Sequence, residues 1–232
     1  MSVISNRNRR IIREMKSIEP GDVNRNISII NDRKEILGYL VPIGPELARQ
    51  DGLAAMLCRW RQRSMKYYLT QFKATPERTL IWLQQIVALE DNRLLFLITT
   101  EEDKLIGHIG LCNIASDDVE IDNLVRGEQG GDPKLIVFAE VAVLDWTIRN
   151  LQLKNIYLRQ FTNNHMGTAL HSSIGFFEDA SWKIIKSESN GECQHEIIYD
   201  EVPAKGERGY MRMVLDVEDY RNKFPWLAGK ND

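Results

Sequence analysis

The sequence places a glycine-rich loop between a predicted strand and a predicted helix. Residues 119–126 begin with alternating apolar and acidic side chains, which is typical of a half-buried strand. The loop Gly127–Gly131 follows, and Asp132 and Pro133 then provide an N-cap and a first residue for a helix that runs to about Trp146. Because a helix start presents free N–H groups, this order suits phosphate binding, although a plain surface turn explains the glycines about equally well.

The remaining segments predict alternating helices and strands. After a strand at 37–43, Gly44-Pro45 opens one helix, and the N-cap residue Thr75 opens a second that runs to about Leu89. The other predicted elements are a hairpin of 93–100 and 105–114, strands at 155–161, 181–186, 193–199 and 210–217, and a short helix at 164–173.

The predicted elements define one mixed α/β domain with two flanking segments. The domain spans residues 37–220. Residues 1–36 predict a basic, weakly ordered leader, because their first half is rich in arginine and shows little apolar periodicity. Residues 221–232 are predicted to be a C-terminal tail.

Composition excludes several classes of protein. With 43% hydrophobic and 27% charged residues, the 232-residue chain has the balance of a globular protein. Its net charge of −3 argues against a surface built for nucleic acid. No window approaches the roughly 18 apolar residues of a membrane helix, so we expect no membrane span and a cytoplasmic protein.

The three cysteines are too scattered for a metal site or a disulfide framework. Cys58, Cys112 and Cys193 show no CxxC spacing, and the nearby histidines would give isolated pairs rather than four ligands. Cys112 lies within an apolar run and is expected to be a small buried side chain. No metal is therefore expected.

Five motifs in a fixed order carry a resemblance to a known family. They are LIGHIGL (105–111), VEIDNLVRGE (119–128), LDWTI (144–148), LKNIYLRQFTNN (153–164) and ALHSSIGF (169–176). Together they resemble the GNAT superfamily of acyl-CoA-dependent N-acyltransferases, most closely the branch of ribosomal-protein N-terminal acetyltransferases and bacterial amino-sugar acetyltransferases. The resemblance spans roughly residues 37 to 217, and the order of the motifs is what is typical of the family.

The resemblance implies a fold and a co-substrate. The fold is α/β, with a central mixed, mostly antiparallel sheet that is splayed in a V and flanked by helices. Acetyl-CoA would lie in the V, with its pantetheine amides on the strand before the loop and its pyrophosphate on the N–H groups of the loop. The residues implied to bind it are Leu124, Val125, Arg126, Gly127, Gly130, Gly131, Lys134 and Asn164.

The chain departs from the family pattern at two places. Asp132-Pro133 follows the glycine pair, which removes one N–H and adds a carboxylate near the phosphates, and Lys134 can offset that charge. His171 stands four residues before Gly175, where many members have a tyrosine that protonates the departing thiolate. A histidine can donate that proton near neutral pH, or it can be a plain surface residue of a short helix.

Two carboxylates on the strand before the loop are candidates for proton transfer. The attacking amine must be neutral, so a base or a water relay must take its proton. Glu120 and Asp122 are two residues apart and therefore share one face of the strand. We assign Glu120 as base or water-orienting residue and Asp122 as an acceptor-binding group; a solvated strand face explains each about equally well. His108 is expected to be a packed, hydrogen-bonded side chain rather than a base.

Aromatic residues and an arginine cluster between the first two predicted helices. Trp60, Arg61, Tyr67, Tyr68 and Phe72 suit a sugar ring or a nucleotide diphosphate, although core packing explains the aromatic residues equally well.

The leading hypothesis is an N-acetyltransferase that moves an acetyl group from acetyl-CoA to a primary amine, with a nucleotide-linked amino sugar of surface-polysaccharide biosynthesis as favoured acceptor. The alternatives are a protein N-terminal or small-amine acetyltransferase and a non-catalytic acyl-CoA-binding protein. A homodimer is compatible with each.

Overall fold

Ten strands form one sheet at the centre of the molecule. The computed structural model describes residues 3–17, 22 and 26–229. In chain order the strands are β1 (Ile27–Ile30), β2 (Ile36–Pro42), β3 (Thr70–Gln71), β4 (Leu94–Thr100), β5 (Leu105–Cys112), β6 (Asp118–Arg126), β7 (Asn155–Phe161), β8 (Phe176–Ser189), β9 (Glu192–Ile198) and β10 (Gly209–Leu215). They lie in the order β1-β2-β4-β5-β6-β7-β10-β8-β9-β3, and within the described residues only β6 and β7 run parallel as neighbours. The predicted mixed, mostly antiparallel sheet is confirmed.

Helices pack on both faces of this sheet. They are α1 (Asn6–Lys16), α2 (Leu53–Ser64), α3 (Pro76–Trp82), α4 (Leu135–Trp146), α5 (His165–Ile174) and α6 (Val217–Lys223). A π-helical turn extends α3 over Leu83–Val87 and another extends α4 over Thr147–Leu151. In the part of the chain that the structure describes, no helix is long and apolar enough to cross a membrane.

Strand β4 shows how the two faces of the sheet are covered by separate apolar clusters. Phe96 and its i±2 neighbours belong to the larger core, which also contains the apolar residues of α4. Leu95 and Leu97 point the other way and pack with Trp60 of α2 and with the end of α3. All seven residues of β4 are buried, as expected for a strand covered on both faces.

Strands β6 and β7 are paired over only part of their length. Their parallel register runs from Asp118 beside Asn155 to Ile121 beside Leu158. Asn123 then adopts a left-handed conformation (φ 53°) at an irregularity in the pairing of β6 with β5. Such a bulge bends a strand, so the remainder of β6 diverges from β7 and opens the predicted V. We call the space between the separated strand ends the cleft.

The two terminal segments are more ordered than the sequence predicted. Within the predicted leader 1–36, residues 6–16 form α1 and residues 27–30 form β1. Ser5 caps α1 by accepting from the N–H of Asn8 (3.1 Å), and Ile12 is fully buried beneath the arginines that dominate the sequence there. Within the predicted tail 221–232, Phe224 and Leu227 are buried. Residues 1–2, 18–21 and 23–25 of the leader and 230–232 of the tail lie outside the described residues.

Two predicted helix starts are corrected by the structure. The helix assigned to Gly44-Pro45 begins at Leu53 instead, because only a short 3-10 turn forms over Leu47–Arg49 and Gly52 (φ 81°) then adopts a left-handed conformation that a helix cannot include. The helix assigned to Asp132-Pro133 begins at Leu135, with Lys134 as N-cap. The remaining predicted elements lie within a few residues of their observed positions, and β8 is longer than predicted.

Candidate active site

The cleft is the large cavity of the described chain, with a volume of about 650 Å³. Strand β6 lines one side and β7 with α5 the other, and the segment between α2 and β3 closes one end. Of the residues singled out from the sequence, those that line the cleft are Glu120, Asp122, Leu124, Val125, Arg126, Asn164, His171, Arg61, Tyr67 and Tyr68. Gly127, Gly130, Gly131 and Lys134 continue from β6 but do not line the cleft, and neither do Trp60 and Phe72.

The open edge of β6 offers backbone groups to a ligand. On its other edge β6 is held by β5, where Val125 pairs with His108 and Arg126 with Gly107. Pairing with β7 ends at Ile121, so the edge from Leu124 to Arg126 faces the cleft without a neighbouring strand. An extended chain with amide groups can add to such an edge as a strand does.

A buried histidine fixes the bulge of β6. The Nδ1 of His108 donates to the carbonyl oxygen of Asn123 (2.6 Å), and the ring stacks on Trp60 at 6.0 Å. Burial lowers the pKa of His108 to about 4, so the imidazole is neutral at physiological pH. The structure thus agrees with the interpretation of His108 as a packed side chain rather than a base.

The glycine loop is held rigidly beside the cleft. The N–H groups of Gly127 and Glu128 both donate to the carbonyl oxygen of Ile106, at 2.7 and 2.8 Å. Gly127 also lies against Trp60, and an added Cβ would be 2.0 Å from the indole ring. Gly130 (φ 125°) and Gly131 (φ 65°) occupy conformations that L residues rarely adopt. The loop conformation therefore requires its glycines.

Three basic side chains bind the carbonyl oxygens of this loop. Arg63 donates to Gly127 (2.6 Å), Lys104 to Gln129 (2.7 Å) and Arg126 to Gly130 (2.8 Å). Cations on the carbonyl side make the loop electropositive, which suits an anionic ligand. Two carboxylates work against this: Asp132 accepts from the N–H of Lys134 (2.7 Å), and Glu128 pairs with Arg63 (3.3 Å). Because the N–H groups of Gly127 and Glu128 donate to Ile106, three N–H groups expected to be free for a phosphate are occupied.

Glu120 is bound by other protein groups at both oxygens. Arg159 of β7 donates to Oε1 (2.9 Å) and to Oε2 (2.8 Å), and Asn113 donates to Oε2 (2.7 Å). These hydrogen bonds raise the pKa of Arg159, which is a permanent cation. A carboxylate engaged in a bidentate pair has fewer free lone pairs with which to accept a proton.

Asp122 lies two residues further along the same strand, in a different environment. It accepts from the backbone N–H (2.7 Å) and side-chain amide (2.5 Å) of Asn123, and Arg93 is 3.3 Å away. Burial raises the pKa of Asp122, and the nearby charge of Glu120 raises it further. The same surroundings raise the pKa of the buried Cys112 thiol, chiefly through burial, so that it is no nucleophile.

His171 enters the cleft from α5 and has a buried acidic partner. Its Nδ1 is 2.8 Å from Oε1 of Glu140, which lies on α4 and is fully buried. Asn164 is the N-cap of α5: it accepts from the N–H of Gly167 (3.2 Å) and donates to Gln160 (2.8 Å). Asn164 thus shapes the helix that carries His171.

Sequence reasoning missed Glu140 and Arg159. Glu140 is the single acid in the apolar run LIVFAEVAVL, and an isolated acid at such a position is a usable signal. The sequence signal for Arg159 is weaker, because polar residues alternate along β7 and nothing in that pattern indicates a partner 39 residues away. Arg61 was found, and its guanidinium lies 3.9 Å from the ring of Tyr68.

A splayed sheet whose open strand edge leads through a glycine loop into a helix defines the class of acyl-CoA-dependent N-acetyltransferases. A family model of the acetyltransferase (GNAT) domain matches residues 46–177, more than half of the chain. The chain belongs to the GNAT family, and acetyl-CoA is its co-substrate.

Solved structures agree on the fold at low sequence identity. A spermidine N-acetyltransferase from Vibrio cholerae, in complex with CoA and spermine, is 16% identical over 76% of this chain and 94% of its own, with a TM-score of 0.54. A nucleotide-linked sugar GNAT named FdhC is 12% identical over 83% and 93%, with a TM-score of 0.58. A GCN5-related N-acetyltransferase from Brucella melitensis is 16% identical over 84% of each chain, with a TM-score of 0.58. No curated protein matches the sequence.

Proposed function

We propose that the amine acceptor is an amino sugar carried on a nucleotide. The observation that carries this is Arg61, which lines the cleft without a carboxylate partner among the described residues. Its guanidinium lies over Tyr68 at 3.9 Å and near Phe72 at 4.9 Å, and its Nε is buried without a hydrogen-bond partner. A diphosphate can satisfy such a cation, and an adjacent aromatic ring can stack on a sugar or base.

The charge of the cleft disfavours a polycationic acceptor. Arg159 and Arg93 pair with Glu120 and Asp122, so these four charges largely cancel. Arg61 and Arg126 remain, and an acceptor such as spermidine would bring further positive charge beside them. Like charges at close range lower affinity, whereas an anionic acceptor gains from the same groups.

The acetyl donor is proposed to lie along the open edge of β6. Its pantetheine amides would pair with Leu124–Arg126. Its pyrophosphate would meet the N–H groups of Gly130 and Gly131 and the ammonium group of Lys134, because the N–H groups of Gly127 and Lys134 are engaged within the protein. The electropositive loop and the free strand edge support this position. The thioester supplies an activated acetyl group, and the chain has to position the amine, take its proton and protonate the sulfur.

We further propose that Asp122 takes the proton of the amine and that Glu120 is a positioning residue. This reverses the roles inferred from the sequence. Both oxygens of Glu120 are held in a bidentate pair by the cation Arg159, whereas Asp122 has one longer contact with Arg93 (3.3 Å) beside its hydrogen bonds from Asn123, and its raised pKa favours proton uptake. His171 stays the proposed proton donor to the leaving sulfur.

Acceptor preference tests the proposed substrate class. With acetyl-CoA fixed, we expect nucleotide-linked amino sugars to react at least about tenfold better in kcat/KM than spermidine or peptide amines. Arg61→Leu should raise the KM for the sugar nucleotide about tenfold, because one charged hydrogen bond to the acceptor is lost. The KM for acetyl-CoA should stay unchanged. Arg59→Leu, an exposed site on the same helix, is the matched control. A preference for peptides or polyamines would contradict the proposal.

A thermal-shift titration tests the donor site. Acetyl-CoA at about 100 times its Kd should stabilise the wild-type chain by about 2.7 kcal/mol. Gly131→Ala should abolish much of this response, because an added Cβ lies 2.9 Å from both Leu135 and Thr100. Gly191→Ala imposes similar backbone strain (φ 76° against 65°) in a distant hairpin and should leave the response intact. If acetyl-CoA stabilises the two variants equally, its binding site does not include the glycine loop.

A further inference from the structure

We propose that Glu140 is a positioning residue that holds His171 as the proton donor of the acetyl-transfer reaction. This inference rests on the proposed function, because it gives His171 a partner in the same reaction. It concerns a residue on α4 that does not itself reach the substrate. Three observations lead to it: the burial of Glu140, its single partner, and the position of the other ring nitrogen of His171.

Glu140 is a costly residue to bury. It is 0% exposed, and its neighbours along α4 from Leu135 to Leu144 are apolar. Its Oε1 contacts His171, and its Oε2 is buried without a hydrogen-bond partner. Replacing such a group by an apolar side chain is often neutral or stabilising, so fold stability alone does not explain its presence.

The contact defines which nitrogen of His171 faces Glu140 and which faces the cleft. In the proposed arrangement Glu140 is a carboxylate, which only accepts hydrogen bonds, and the Nδ1 of His171 donates to it. The other nitrogen, Nε2, has no hydrogen-bond partner among the described residues and is not closed off from solvent. Because His171 lines the cleft, Nε2 is the ring nitrogen available to a substrate.

The carboxylate fixes the orientation and tautomer of the ring, because it can accept a hydrogen bond from Nδ1 but cannot donate one to it. With Nδ1 turned to Glu140, Nε2 faces the cleft and carries the proton that the leaving sulfur takes. An amide in place of the carboxylate could either accept or donate, so it would not fix the ring in this way.

The proton balance of the reaction closes with these groups. The amine nitrogen forms a C–N bond to the thioester carbonyl carbon, and its surplus proton passes to Asp122. The C–S bond breaks with its electron pair on sulfur, which takes the Nε2 proton of His171. The products are the N-acetyl amide and the free thiol of CoA. Asp122 then releases its proton to solvent, and His171 takes one up.

A double-mutant cycle separates this role from a structural one. We expect Glu140→Gln to lower kcat about tenfold with the KM for acetyl-CoA unchanged, and His171→Ala to lower kcat by a similar factor. Because Glu140 acts only through His171, the double variant should be no slower than His171→Ala alone. Wild-type kcat in Glu140→Gln, or a further tenfold loss in the double variant, would overturn the proposal. The thermal midpoint of Glu140→Gln, measured alongside, checks that the lower kcat is not a loss of folded protein.

Nitrogen-15 spectra of the imidazole test the inference without any substrate. The chain has only four histidines, so the His171 signals are assigned by their loss in His171→Ala. We expect a protonated Nδ1 in the wild-type chain and a changed Nδ1 signal in Glu140→Gln. An unprotonated Nδ1, or identical spectra for the two proteins, would overturn the role of Glu140. A wild-type chain with the expected spectrum but no transfer to any amine would overturn the proposed function instead.

Discussion

Replacing Asp122 by asparagine is expected to slow acetyl transfer about 10³-fold, within the range for loss of a general base. The amide keeps the size of the side chain and can still accept from Asn123, but it cannot take a proton. The KM for acetyl-CoA should stay close to its wild-type value, because the proposed donor site begins two residues further along β6. Single-turnover rates at saturating substrates measure the loss. A variant that reacts within a few-fold of the wild-type rate would exclude Asp122 as the base.

The pH profile gives a second test of Asp122. As a base, Asp122 works only when it is deprotonated, so the rate rises as pH increases through its pKa. Since burial and the charge of Glu120 raise that pKa, this rise should lie above the ordinary aspartate value of 3.8. Glu120→Gln removes one of the two causes, so in that variant the rise should move to lower pH. If the rate of Glu120→Gln rises at the same pH as that of the wild-type chain, the pH profile does not report the ionisation of Asp122.

The loop region shows what the sequence alone could supply. The strand 118–126, the glycines and the following helix were predictable, because alternation, glycine conformation and proline preference are properties of adjacent residues. The exact helix start was not, because Asp132 uses its side chain on the N–H of Lys134 and delays the helix to Leu135. Helix α1 was missed because its arginines dominate the composition, while Ile12 is fully buried and Ile11 and Met15 pack against the core beside it.

The roles of the cleft residues were harder to predict, since they depend on contacts between distant segments. Glu120 and Asp122 are equivalent by spacing, and they differ because Arg159 reaches one and Arg93 the other, across 39 and 29 residues of chain. His171 and Glu140 are 31 residues apart. No local pattern encodes these pairings; they follow from the parallel register of β6 with β7 and from the packing of α5 on α4. The residue types of the cleft were therefore recoverable from the sequence, and their pairings were not.

Glu120→Gln is expected to lower kcat roughly 10²-fold without altering the affinity for acetyl-CoA. The amide cannot form the charged bidentate pair with Arg159. The Arg159 guanidinium, whose charge Glu120 neutralises in the wild-type chain, would therefore be left unpaired in the cleft of the variant. A free cation beside the attacking amine disfavours positive charge on nitrogen as the C–N bond forms, and it lowers the proton affinity of Asp122.

The double variant Glu120→Gln, Arg159→Met distinguishes this account from one in which Glu120 is itself the base. If Glu120 serves to neutralise Arg159, removing both charges should restore part of the lost rate, because the free cation is gone. If Glu120 takes the proton of the amine, the double variant should be at least as slow as Glu120→Gln alone. Calorimetric titration of acetyl-CoA into each variant checks that the donor site is intact. Partial recovery of kcat supports the assignment of Asp122 as base, and no recovery would return that role to Glu120.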